Sequence, residues 1–183
     1  MISGKYKGHP LKAVPGKQTR PTTDKVKEAI FQIIGPYFNG GIALDLFAGS
    51  GGLGIEAISR GASKAIFVDQ QPLAIKTVNA NIKQLQIDEV TEVYRADAFR
   101  ALKAASKRDL VFDWIFLDPP YKKISFDDLF QQLIELKLVH TGSIIVCEHA
   151  PDHLLPEKFE NLQLFKTQGY GKEIQVSYYH FET

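Results

Sequence analysis

The chain is poor in the residues that staple or anchor a protein. Its 183 residues include one cysteine, one methionine and one tryptophan. A single cysteine excludes a disulfide framework and fits a reducing compartment. Cys147 ends an apolar stretch and reads as a small core residue rather than a nucleophile. No apolar run approaches the ~20 residues of a membrane span, and the N-terminus lacks the apolar core of a secretory signal. A cytoplasmic location is therefore expected. His149 and His153 share i, i+4 spacing, but Pro151 interrupts them and no further ligand set is near, so no metal site is expected. Net charge is scarce too: 22 Lys+Arg against 21 Asp+Glu leave +1. Nothing in the sequence requires a dimer, and a monomer is expected.

The distribution of charge says more than its sum. Lys5, Lys7, Lys12, Lys17 and Arg20 all precede Asp24, with no acid among them. Gly4, Gly8, Pro10, Pro15 and Gly16 punctuate the same segment, and Tyr6 and His9 supply rings. Lysines contact phosphate without sequence preference and flat rings stack on bases. Residues 1–24 therefore read as a basic arm that contacts RNA, and residues 25–183 as one domain with a single core. Thr23 or Asp24 can cap the first helix, whose Val26, Ala29, Ile30, Ile33 and Ile34 share a face.

Beyond the arm the pattern alternates. Apolar strands are predicted at 42–47, 65–68, 92–95, 114–117 and 143–147. Helices are predicted after the glycine-rich stretch (to Arg60, stopped by Gly61), after Pro72 (Ile75, Val78 and Ile82 inward, polar residues outward), at 98–105 and at 126–136. Such alternation implies a parallel sheet with helices on both faces. Two alternating segments, 162–166 and 174–178, flank Gly169-Tyr170-Gly171-Lys172 and predict a terminal antiparallel hairpin.

The chemistry gathers at strand ends, where open α/β folds place ligands. Gly49, Gly51 and Gly54 satisfy a G-x-G-x-x-G spacing that lets a ligand approach backbone closely. That spacing alone also suits a dinucleotide enzyme. Asp45, ending the first strand, opposes a pyrophosphate but suits an ammonium or sulfonium group. Asp69 ends the second strand, placed for ribose hydroxyls. Asp97 follows the third and offers a carboxylate to an adenine amine. Asp118-Pro119-Pro120-Tyr121 ends the fourth in a corner that cannot continue the strand. There the Asp118 carboxylate and Pro119 carbonyl are two fixed acceptors beside the flat Tyr121 ring, a set suited to a planar group bearing an NH2. Any one acid could be a helix cap; four in register along one sheet edge are expected to form a site.

With these residues in place, the chain resembles class I S-adenosylmethionine-dependent methyltransferases. More narrowly, it resembles the bacterial family that methylates the N2 amine of a guanine in 16S ribosomal RNA. The resemblance is carried by Arg20-Pro21-Thr22-Thr23-Asp24-Lys25-Val26-Lys27-Glu28-Ala29-Ile30-Phe31, Asp45-Leu46-Phe47-Ala48-Gly49-Ser50-Gly51, Gly54-Ile55-Glu56-Ala57-Ile58-Ser59-Arg60-Gly61-Ala62 and the proline tetrapeptide. It implies a Rossmann-like α/β fold with a seven-stranded, mostly parallel sheet, order 3-2-1-4-5-7-6 with strand 7 antiparallel. It implies S-adenosylmethionine as cofactor, held by Asp45, Phe47, Ala48, Gly49, Ser50, Gly51, Asp69, Gln70, Asp97, Ala98 and Asp118. Catalysis falls to Asp118, Pro119, Pro120 and Tyr121. RNA contact falls to the five basic arm residues with Lys122 and Lys123. The partner implied is 16S ribosomal RNA or a small-subunit assembly intermediate. Two alternatives stay open: an amine methyltransferase acting on adenine N6 or protein glutamine, and a non-catalytic RNA-binding module of the same fold.

Overall fold

A computed structural model describes residues 1–16, 23–120 and 122–183. The chain divides into two compact units, Met1–Ala98 and Phe99–Thr183.

The first unit is built on three parallel strands, β1 (Ile42–Asp45), β2 (Lys64–Asp69) and β3 (Thr91–Arg95), paired in the order β3-β2-β1. Helix α1 (Asp24–Ile34) starts where Thr23 Oγ1 accepts the Val26 N–H at 3.3 Å. Helices α2 (Gly52–Ser59) and α3 (Pro72–Leu85) form the crossovers. Pro72 opens α3 at no hydrogen-bond cost, because a first-turn N–H has no intrahelical partner. Ile30, Phe31, Ala43, Ile55, Ala65, Phe67 and Val78 are fully buried and make the core. The inward face of α3 is less apolar than its periodicity suggests. Ala74, Val78 and Leu85 share it with the buried polar residues Thr77 and Asn81, and Ile75 is only half-buried.

The second unit carries α4, which begins at the unit boundary (Ala98–Lys107), β4 (Phe112–Leu117), α5 (Phe126–Glu135), β5 (Val139–His149), β6 (Lys158–Phe159), β7 (Leu162–Tyr170) and β8 (Ile174–Phe181). Its strands pair in the order β4-β5-β8-β7-β6, with β4 and β5 parallel and β8 antiparallel to both its neighbours. Phe112, Ile115, Phe126, Leu129, Phe130, Cys147, Tyr178 and Tyr179 are buried, and the Phe130 and Tyr179 rings meet edge-on at 4.9 Å.

The expected elements are present, but among the described residues eight strands replace the expected seven. The addition is β6, two residues pairing with the start of β7, too short to show a period. The hairpin is longer than its alternation: Gly169 and Tyr170 lie inside β7, opposite Gln175 and Ile174. Strand β5 runs eleven residues. Its front half carries His140 and Thr141, exposed, which mask it in a hydropathy pattern.

Candidate active site

The glycine stretch begins as β1 ends. The Ala48 N–H donates to the Val68 carbonyl at 2.9 Å, and the Gly51 N–H donates to the Ala48 carbonyl at 2.8 Å, closing a tight turn into α2. Two acids hold this turn. Asp69 Oδ2 accepts the Gly49 N–H and Oδ1 the Gln71 N–H, both at 2.9 Å. Asp45, 3 % exposed, accepts the Gly54 N–H at 3.0 Å. Gly51 is the N-cap of α2 and has no side chain to cap with, so the strand-end carboxylate takes that part from outside the helix.

The three glycines serve different ends. A Cβ at Gly51 would stand 2.5 Å from Val78 Cγ2, and one at Gly54 would stand 2.4 Å from Phe67 Cε1. Those two let α2 pack tightly on β2 and α3. Only Gly49, with φ +57°, would point a Cβ into open space. The expectation that all three admit a ligand therefore narrows to Gly49.

The sequence leads one to expect the acids in register along the edge, and Asp45 and Asp69 are instead staggered. Asp45 pairs in register with Phe67, and Asp69 with Arg95. Strand β2 thus ends two residues beyond β1, an outward step of roughly 6–7 Å from Asp45 to Asp69, whereas β3 ends level with β2 and Asp97 follows two residues past that end. A two-residue step preserves the side-chain face, so Asp45 and Asp69 remain on one side of the edge. Asp69 and Asp97 are half-buried, Phe47 is half-buried, Ala48 and Ala98 are buried, and Gln70 is exposed with its carbonyl accepting from Arg95 Nε at 3.2 Å.

Lys27 joins this neighbourhood from α1, outside the strand-end motifs. It is 6 % exposed, and a Cβ at Gly52 would lie 3.6 Å from its Nζ and 3.8 Å from Ser50 Oγ. Its ion pair with Asp24 is loose, at 3.9 Å. The sequence carries the signal: Lys27, Phe31 and Ile34 stand at i, i+4 and i+7, which sets the lysine on the buried stripe of α1.

In the second unit, β4 gives way to the proline corner at Asp118. Asp118 is exposed, Pro119 buried and Pro120 exposed. The Pro120 carbonyl accepts the N–H groups of Lys123 and Ile124 at 2.8 and 3.1 Å. This turn feeds α5, whose start Ser125 caps through the Asp128 N–H. Lys122 and Lys123 are exposed on the turn. Tyr121, with Lys17 and Arg20, lies outside the described residues. Close by, Leu117 pairs with Cys147 in β5. Burial pushes the Cys147 thiol up, which fits a core residue. His149, two residues on, is held neutral by burial, with Nε2 2.7 Å from Ser177 Oγ and Nδ1 2.9 Å from the Ala150 carbonyl. Among the described residues no cluster of three or more His, Cys, Asp or Glu could hold a metal ion. None of the helices among them is long and apolar enough to cross a membrane.

The basic arm is fastened to the first unit along its described length. Glu56, fully buried, accepts the Ile2 and Ser3 N–H groups at 3.1 Å each and is paired with Arg60 Nε at 2.7 Å. Lys5 N–H donates to the Ser59 carbonyl at 2.7 Å. Lys12 is bonded through its peptide to Asn81. The side chains of Lys5, Lys7 and Lys12 stay exposed.

The family profile described as "Conserved hypothetical protein 95" matches residues 1–180. The chain belongs to that family. It is 53 % identical over 171 residues to YlbH of Bacillus subtilis (strain 168), named as a proposed rRNA methyltransferase, with 93 % of each chain covered. It is 32 % identical over 172 residues to ribosomal RNA small subunit methyltransferase D of Haemophilus influenzae, covering 93 % of this chain and 88 % of that one. Among solved structures, a proposed methyltransferase of Escherichia coli, yhhF, superposes with a TM-score of 0.84 at 27 % identity, over 100 % of this chain and 97 % of that one. The fold of this family member is thus the Rossmann-like one of methyltransferases, a mostly parallel sheet flanked by helices.

Proposed function

We propose that this family member transfers a methyl group from S-adenosylmethionine to the exocyclic N2 amine of a guanine in 16S ribosomal RNA, in the cytoplasm, during assembly of the small subunit. The relatives' names support an enzyme that methylates ribosomal RNA. The observation that carries the cofactor is the cradle around Gly49. Its Cα faces open space, its amide is fixed by Asp69, and a buried ammonium stands beside the first residue of α2. A cation next to the positive end of a helix is completed by an anion. Lys27 and the α2 amides therefore suit the carboxylate of the cofactor's amino-acid part. Asp69 retains acceptor capacity for ribose hydroxyls, since each ionised carboxylate oxygen accepts more than the single bond it makes here. Asp97 and Ala98 are assigned to the adenine, and Asp45 braces the turn from below.

When bound, S-adenosylmethionine supplies a methyl already activated on a sulfonium. The protein's task is to present the amine. The N2 lone pair is delocalised into the guanine ring and attacks poorly. Asp118 and the Pro119 carbonyl accept hydrogen bonds from its two N–H groups, which orients the amine and favours pyramidal nitrogen. Pro120 cannot share in this, because its carbonyl already accepts two turn amides. Asp118 also stabilises the positive charge that develops on nitrogen, and Tyr121 stacks on the extruded base. Asp118 or solvent then takes the proton. The exposed lysines of the arm and of the 122–123 turn hold phosphates without reading sequence.

Replacing Asp118 by Ala tests the assignment. Methyl transfer should fall by at least ~10²-fold while S-adenosylhomocysteine binding changes little. Near-normal turnover by Asp118→Ala would remove the proposed role.

A further inference from the structure

Asn81 lies in the second half of α3 and is fully buried. Thr77, the other buried polar residue of that face, returns its hydroxyl to the Leu73 carbonyl 2.8 Å away and so serves its own helix. Asn81 does the opposite. Its Oδ1 accepts the Lys12 N–H at 2.8 Å, and its Nδ2 donates to the Lys12 carbonyl and the Ser50 carbonyl, each at 3.0 Å. Both polar groups of the Lys12 peptide and one of the glycine turn are thus held by one side chain. The amide orientation is fixed by its partners, since a flipped amide would aim its oxygen at two carbonyls and its NH2 at an N–H.

We infer that Asn81 is a positioning residue that couples the seating of the basic arm to the conformation of the cofactor turn, so that RNA and cofactor bind cooperatively. Lys12 presents its ammonium to solvent while its peptide is clamped on Asn81. A phosphate that fixes the Lys12 side chain also fixes that peptide, and with it the amide that holds Ser50. Ser50 lies between Gly49, which faces the open cradle, and Gly51, which packs on Val78. Order imposed at either end therefore lowers the cost of ordering the other, and linkage makes the effect reciprocal. This inference rests on reading the glycine turn as the cofactor cradle and the arm as an RNA contact.

The test uses hydrogen exchange at the Lys12 amide, read by two-dimensional NMR on the full chain with and without saturating S-adenosylhomocysteine. Saturation should slow exchange at Lys12 by about fivefold or more, the lower end of ordinary site–site coupling. Asn81→Asp keeps the acceptor for the Lys12 N–H but turns an oxygen toward the two carbonyls. It should weaken S-adenosylhomocysteine binding by roughly tenfold and abolish the exchange response at Lys12. Thr77→Val, a buried loss on the same helix, should leave that response intact. The wild-type measurement decides even if Asn81→Asp does not fold. Binding of S-adenosylhomocysteine without any change at Lys12 overturns the coupling alone. Absence of binding to the wild type overturns the cofactor reading itself, and the coupling with it.

Discussion

Alanine at Gly49 and alanine at Gly54 should damage this protein in different ways, although the two residues belong to one motif. A Cβ at Gly54 would lie 2.4 Å from Cε1 and 2.8 Å from Cζ of Phe67, a ring with no exposed surface. Carbon atoms rest at about 3.5–4.0 Å, so the ring or α2 must move by roughly 1 Å. Overpacking of that kind costs ~1–3 kcal/mol, set against about 1 kcal/mol gained in helix propensity. A net loss of up to about 2 kcal/mol lowers the melting temperature by up to roughly 4–8 °C for a chain of this size. At Gly49 the new methyl meets nothing, and the cost is that of a left-handed backbone at φ +57°, ~1–2 kcal/mol. The methyl, however, enters the cradle, and S-adenosylhomocysteine affinity should fall by about tenfold or more, the scale of ~1.4 kcal/mol. Calorimetric titration beside thermal denaturation separates the two. The decisive comparison is the drop in affinity per degree of melting temperature, which should be much larger for Gly49→Ala. Equal drops in affinity, or an unimpaired Gly49→Ala, would refute the division of labour among the glycines.

Two further outcomes follow from the charges. Changing Lys5, Lys7 and Lys12 together to Gln keeps the backbone bonds of the arm and removes three exposed ammonium groups. RNA affinity should fall, and a plot of log affinity against log salt should become shallower by about 0.7–0.9 for each phosphate no longer neutralised; an unchanged slope would assign recognition to other residues. His140 Nε2 lies 2.8 Å from Asp113 Oδ1, and this hydrogen bond raises the imidazole above its ordinary pKa of 6.5. The folded chain therefore holds the proton more tightly than the unfolded one, and the stabilisation is full below 6.5 and fades as pH rises through the folded value. Both groups are part-exposed, so Asp113→Asn should cost at most a few tenths to ~1 kcal/mol near pH 5.5 and almost nothing near pH 9 in denaturant titrations. A loss that grows with pH would contradict this assignment.

The strands and the turn were legible because their signals are local. Apolar runs closed by Asp69 and Asp118 state where those strands stop, and the glycine spacing states where the chain turns; the first strand, expected over 42–47, closes earlier, at Asp45, because the turn begins before the apolar run ends. Which glycine faces open space was not legible, because Gly49, Gly51 and Gly54 are distinguished only by Val78 and Phe67, which arrive from other elements. The stagger of the acids escaped for the same reason: register is a property of paired strands. Lys27 and Asn81 were half-legible. Each falls at i, i+4 or i+7 to buried apolar neighbours on its helix, and a polar residue on such a stripe announces a specific partner. What that partner is depends on packing between distant segments, as with Asn81 and Lys12. Seated on Glu56 and Ser59, the arm is likewise fixed by backbone hydrogen bonds that composition does not record.

The proposed product is a methyl group on guanine N2 of small-subunit RNA. Incubating the protein with isotopically labelled S-adenosylmethionine and small-subunit assembly intermediates, then digesting the 16S RNA and identifying modified nucleosides by mass spectrometry, tests it directly. Label should appear as N2-methylguanosine at a single position and vanish with Asp118→Ala. Label on adenine or on a ribosomal protein, or none in the presence of bound cofactor, would contradict it.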